Sequence, residues 1–202
     1  MVKTRLLGFF SISIFALISL SGCGSDIDTF SDIPVDNPQF SSIQSTPVAN
    51  YPARVQAFIS NVSRFGINLN DEQIRQIYTQ RYVRPSGKFA SRPALNLTSE
   101  QNLDIHFKKH YKEFKGISNK EQYLQKALQF LTRESPSANY YFDTTSFAKG
   151  YQSNIVKYDA QTHELSAVRN DGDITTFYTS DMPSPKRFVV VPENPPQEEV
   201  NR

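Results

Sequence analysis

Apolar positions recur at two different spacings along this chain, and the change between them divides it. In "YPARVQAFISNVSRFG", Val55, Phe58, Ile59 and Val62 fall at helical spacing before Gly66, which predicts a helix that stops at the glycine. In "NLNDEQIRQIYTQRY", Ile74, Ile77, Tyr78 and Tyr82 share a side behind Asn70, a good N-cap. These two helices are expected to form a small helical subdomain or to pack against the main one. "VRPSGKFASRPALN" then breaks the pattern with prolines and a glycine and reads as a linker, with the main boundary near Arg92.

Helical spacing returns in "LTSEQNLDIHFKKHYKEFKG". Thr98 with Gln101 has the form of a capping box, and the helix is predicted to run to about Phe114, before Gly116,. Ser118 with Glu121 suggests a second box, followed by a stripe of Tyr123, Leu124, Ala127, Leu128 and Leu131 up to Ser135-Pro136,. Beyond it the period falls to two. "NIVKYD", "ELSAVR" and "ITTFYT" read as strands separated by the turns "AQTH" and "NDGD", with "NYYFDTT" and "RFVVV" as further candidates,. The expected fold class is α+β. Helices lie on a small antiparallel β-meander over residues 93–192, preceded by a helical region at 51–92 and a disordered tether.

The first 50 residues have another character. "MVKTR" is basic, "LLGFFSISIFALISL" is apolar for 15 residues, and "LSGC" follows. A bilayer span needs about 20 apolar residues, so this run suits a secretory signal over residues 1–22. Leu20-Ser21-Gly22-Cys23 resembles the lipobox of bacterial lipoproteins, which implies cleavage before Cys23 and lipidation of that sole cysteine. The competing reading is an ordinary signal peptide with a leftover thiol. Gly24 follows where an inner-membrane retention signal would have Asp, so the resemblance favours a lipid anchor in the outer membrane. Residues 23–50, rich in Ser, Asp and Pro, read as a flexible tether, and 193–202 as a disordered polar tail,.

Charge narrows the function only slightly. From Thr98 to Pro192 there are 12 Lys/Arg against 11 Asp/Glu, so no domain-wide basic field announces a nucleic-acid binder. The basic residues concentrate locally in "HFKKHYKEF". At 100° per residue, Leu103, Phe107, Tyr111 and Phe114 share an arc of about 80° that should face the core. His106, His110 and Glu113 lie beside it, with Lys109 just beyond, so the imidazoles are expected at the edge of the buried face. Three readings compete there. The face is solvated and its histidines incidental; or His106 and His110, spaced i and i+4, bind a metal with Glu113; or the histidines transfer protons. Phe107 stands where the zinc-protease signature needs Glu, and no metal or other cofactor is expected.

Proton transfer on a phosphodiester needs an imidazole that titrates near neutrality and a cation for the transition-state charge. RNA supplies its own nucleophile in the 2'-OH. Lys109 and His110 are adjacent, and strict alternation in "ITTFYT" places Ile174, Thr176 and Tyr178 on one face and Thr175, Phe177 and Thr179 on the other,. Thr176 and Tyr178 offer hydroxyls or a ring, and Arg169 is expected across the hairpin as a phosphate ligand. Each is also an ordinary strand residue when taken alone.

The combination resembles the ribonuclease-toxin superfamily that unites barnase, EndoU, RelE and colicin D, most of all its phage and polymorphic-toxin members and the colicin D type. The matching positions are His106, Lys109, His110, Glu113 and Phe114; Tyr123, Leu124, Ala127 and Phe130; and Val156, Tyr158, Asp159, Thr162, Glu164, Asp171, Gly172, Ile174, Thr176 and Tyr178. Tyr111 stands where many relatives have Gly. The resemblance implies a metal-independent endoribonuclease acting on RNA, including tRNA, and an immunity or inhibitor protein as partner. It implies Lys109 and His110 facing Thr176 and Tyr178 as catalytic residues; the chemistry of the residues themselves adds His106 to the catalytic group and Arg169, Lys108 and Lys112 as substrate-binding residues. The alternative is a non-catalytic envelope lipoprotein that uses the same fold to hold a protein or polyanion, and enzyme activity stays open between the two.

Overall fold

The computed structural model describes residues 51–181 and 183–193. The signal segment, Cys23, the tether and the tail beyond Glu193 lie outside the described residues. The fold is α+β, with five α-helices and a five-stranded antiparallel sheet. The helices are α1 (Ala53–Ser63), α2 (Asp71–Gln80), α3 (Ser99–His110), α4 (Lys120–Thr132) and α5 (Thr144–Ala148). The strands are β1 (Ala138–Asp143), β2 (Ile155–Asp159), β3 (Glu164–Val168), β4 (Ile174–Thr179) and β5 (Phe188–Val190), in the order β4-β3-β2-β1-β5.

Local chemistry explains most helix starts. Asn70 and Thr98 each accept from the backbone N–H three residues on, while Gln73 and Gln101 reach back to the cap's own N–H. Both are full capping boxes. For α4 the cap is Asn119, one residue later than the sequence suggests, because Gln122 turns back to Ser118 and leaves Asn119 to hold its N–H. Helix α5 was not predicted. Asp143 caps it by accepting from the N–H groups of Thr145 and Ser146, both at 3.1 Å.

One face of the sheet carries the helices. Helices α1 and α2 pack their apolar stripes on Phe142, Ile155, Val189 and Val191, so this pair shares the sheet's core. Helices α3 and α4 close on Val168, Ile174 and Phe177 through Leu103, Phe114, Tyr123, Ala127 and Phe130. The opposite face buries Tyr141, Val156, Tyr158, Leu165, Ala167 and Phe188, with Tyr178 packed against them.

Strict alternation fails in β4. The register slips between Ala167 and Val168, so that Ala167 faces Thr176 while Val168 faces Ile174. Thr175 is the extra residue, a bulge whose hydroxyl donates to the Ala167 carbonyl at 3.2 Å,. As a result Ile174 joins Phe177 in the helix-side core, not Thr176 and Tyr178 as alternation requires.

The stretch that reads as a linker is packed structure. Phe89 is fully buried and Ala90 nearly so, and the segment lies along the outer edge of β4. Ile174 N–H donates to the Lys88 carbonyl at 2.9 Å and Ala90 N–H to the Ile174 carbonyl at 2.8 Å. Further along that edge Tyr123 donates its hydroxyl to the Phe177 carbonyl, and the N–H of Thr179 donates to Glu113 at 2.7 Å. Gly172 joins the segment to the β3–β4 hairpin, since Ser86 N–H donates to its carbonyl at 2.8 Å. Its φ is +88°, and a Cβ there would sit 2.5 Å from the Arg84 carbonyl oxygen. Gly172→Ala is therefore expected to cost about 1–3 kcal/mol, read as a lower urea midpoint with an unchanged m-value.

Candidate acid-base site

Helix α3 runs alongside β4, so its residues meet the strand in step. Phe89 bridges to Ile174, and its ring centroid lies 4.9 Å from that of His106. His106 stacks on His110 at 6.1 Å, and His110 on Tyr178 at 5.2 Å with the rings inclined by 25°. Four rings thus form a ladder between the packed segment and the end of β4. Leu103 is buried as expected, but Asn102, His106 and His110 are buried with it, while Phe107 and Tyr111 are only half-buried. The helix is turned by about a quarter turn from the orientation its apolar arc suggests.

His106 is fully buried, which corrects its expected place at the rim. Burial is the main cause that pushes its pKa down to about 3, with the nearby His110 and Arg92 charges adding to the effect,. At neutral pH it is an uncharged packing residue behind His110. His110 keeps 8% of its surface exposed, and its Nδ1 lies 2.6 Å from Glu113 Oε1. A carboxylate only accepts, so Nδ1 carries the proton and donates, and Nε2 is left as the basic nitrogen.

Glu113 is held in turn. Its Oε2 accepts from Thr179 N–H at 2.7 Å and from Thr179 Oγ1 at 3.1 Å. Burial favours the protonated acid, but the bonds from His110 and Thr179 outweigh it and hold this carboxyl below the usual glutamate range,. The chain Thr179–Glu113–His110 is the orienter-and-base arrangement that proton transfer requires. Thr179 joins it from 66 residues away, a contact that no sequence spacing announces.

Thr176 and Tyr178 lie on β4. Both hydroxyl oxygens are buried and, among the described residues, have no hydrogen-bond partner. Tyr178's phenol is pushed up to about 12, mainly by burial, against a smaller opposing effect of Arg187. It is protonated at neutral pH and able to donate. Arg187 itself is paired with Asp143, its Nε donating at 2.7 Å.

The structure brings His110 and Tyr178 together, with Thr176 two residues earlier on β4, but leaves several sequence candidates elsewhere. Arg169 pairs with Asp171 at 2.6 Å and Asp173 at 3.2 Å in the hairpin, about 15 Å along β4 from Tyr178 at the usual strand rise. Lys108 pairs with Asp104 at 2.5 Å, and Lys112 lies 5.8 Å from the centroid of the Tyr111 ring. Lys109 is exposed beside the site. The metal reading fails on geometry, because the two imidazoles stack instead of converging and both Glu113 oxygens are engaged. Among the described residues, no group of three or more His, Cys, Asp or Glu is placed to hold a metal ion.

Comparison of the chain with protein-family models, with curated proteins and with solved structures found no match.

Proposed function

We propose that the chain is a metal-independent ribonuclease-like protein, lipid-anchored through Cys23, whose acid-base site is built on His110. The supporting observation is the Thr179–Glu113–His110 chain, which fixes one imidazole tautomer on a ring stacked against Tyr178. In this reading Nε2 of His110 takes the proton from a ribose 2'-OH as its oxygen bonds to phosphorus. The bond to the 5'-oxygen breaks as the leaving oxygen takes the proton of the Tyr178 phenol, and the proton held by His110 Nε2 then passes through solvent to the phenolate, which restores both groups. Lys109 offsets the charge that develops on the phosphate. His106 supports the His110 ring from behind, and Arg169, Lys108 and Lys112 take no part in the chemistry.

His110→Ala and His110→Gln are each expected to slow cleavage of mixed tRNA and single-stranded RNA, in EDTA, by about 100-fold or more. Circular dichroism should stay that of the parent, and the parent's products should end in 2',3'-cyclic phosphate. Cleavage that survives either substitution in a folded protein excludes this assignment.

A second reading rests on a specific observation. Glu113 caps the β4 edge and His110 is 8% exposed, which is also what a structural brace needs. The protein is then a non-catalytic envelope module holding a protein or polyanion on Lys108, Lys109 and Lys112. No turnover, together with weaker binding on substitution of those lysines, supports it.

A further inference from the structure

The two helix pairs do not meet over the sheet, and the gap between them is a cleft of about 1080 Å³. Its walls are the end of α2 with the packed segment at residues 82–87, the end of α4, and the middle strands of the sheet. None of its side chains belongs to the His110 site. The volume lies at the upper end of the range for small-molecule sites.

Four cationic residues from four separate elements line it: Arg81, Arg84, Arg133 and Lys157, with Glu134 and Glu193 as the acids. Their charges are not equally available. Arg133 is committed to Asp159 at 3.0 Å and Glu164 at 3.3 Å. The buried Lys157 ammonium donates to the carbonyls of Phe130, Leu131 and Arg133 at 2.9, 3.2 and 2.6 Å. It thereby neutralises the negative end of α4. Arg81, by contrast, donates only to the Pro192 carbonyl at 3.0 Å, with its guanidinium 4.7 Å from the Tyr140 ring centroid. Arg84 is exposed and, among the described residues, takes part in no ion pair. Among the described residues, neither guanidinium is held in an ion pair, although Glu134 and Glu193 line the same cleft.

Between them in the chain is Tyr82, a large aromatic side chain that is 58% exposed. An exposed ring flanked by two guanidinium groups that no ion pair holds matches a ligand that carries both a flat ring and an anion. We propose that the cleft is a nucleotide-phosphate site: Arg81 and Arg84 take the phosphate, and the base stacks on Tyr82. A free nucleotide and one nucleotide of an RNA strand share this chemistry. The site is independent of the His110 reading, because it is tested by binding without turnover.

The test is calorimetric titration of the full chain with adenosine 5'-monophosphate, inorganic phosphate and an RNA pentanucleotide, the last distinguishing a strand from a free nucleotide. Arg84→Glu should weaken the nucleotide by about tenfold or more. Tyr82→Ala should weaken it by roughly fivefold or more while leaving inorganic phosphate unchanged. Both positions are exposed, so circular dichroism should remain that of the parent. Binding should also weaken with added salt. The proposal is overturned if neither the nucleotide nor the pentanucleotide binds at about 1 mM, if Arg84→Glu binds as the parent does, or if Tyr82→Ala loses nucleotide and phosphate equally.

Discussion

Between pH 6.5 and pH 3 the folded state is expected to lose about 4 kcal/mol through His106 alone. The imidazole has a pKa of about 3 in the folded chain, against an ordinary 6.5. The unfolded chain therefore binds a proton in this window that the folded chain refuses. A base whose folded pKa is depressed contributes its full stability above pH 6.5 and loses it as the pH falls toward 3. Each pH unit costs about 1.4 kcal/mol, and a domain holds about 5–15 kcal/mol in all, so acid unfolding should begin well above the carboxylate range. Urea unfolding at half-unit steps of pH measures the slope. His106→Leu should flatten it between pH 6 and 4, whatever it does to stability at pH 7. A slope unchanged by that substitution would show that His106 is not the group responsible.

Asp159→Ala should cost about 3–5 kcal/mol at neutral pH. Asp159 is 1% exposed and accepts from Ser135 Oγ at 2.8 Å, Ser137 Oγ at 2.7 Å, Arg133 at 3.0 Å and Gln161 N–H at 2.9 Å. Truncation leaves these donors facing an empty space, and leaves Arg133 with Glu164 alone. Burial pushes the Asp159 carboxyl up, but the Ser137, Ser135, Gln161 and Thr162 bonds pull harder and hold it well below the usual range. Its contribution is thus present above about pH 4 and fades below it, a lower window than that of His106. The urea midpoint of Asp159→Ala at pH 7 checks the magnitude. A loss under about 1 kcal/mol would mean that water replaces the carboxylate at little cost.

The strands, the Asn70 cap and the Thr98–Gln101 box were legible because each is set by neighbours in sequence. Alternation in "NIVKYD" and "ELSAVR" and the Thr98–Gln101 pair needed nothing distant to act. The bulge at Thr175 was not legible, since a single added residue leaves the hydrophobic pattern of "ITTFYT" unchanged while altering which side chains share a face. Helix α3 misled for a different reason. Histidine counts as polar in an apolar arc, yet a neutral imidazole packs between Phe89 and Tyr178 like any ring, and so the buried face moved toward His106 and His110. Phe89 hid in a stretch whose prolines and glycine signal a break, although those residues here shape a segment that lies flat against a strand. Within the candidate site, His110, Thr176 and Tyr178 were readable as chemistry-bearing types. Thr179's hold on Glu113 and the distance of Arg169 from the site were properties of the fold alone.

The outer edge of β4 is engaged at each of the three residues where a strand would add. Ile174 is bonded to Lys88 and Ala90, the Phe177 carbonyl to Tyr123, and the Thr179 N–H to Glu113. An open edge is the usual template for strand addition and aggregation, and here side chains and a packed segment occupy it. At the other end of the sheet β5 is only three residues long, too short to seed an extended ladder. A protein crowded with copies of itself at a surface would gain from this arrangement, because neighbours can touch without their sheets merging.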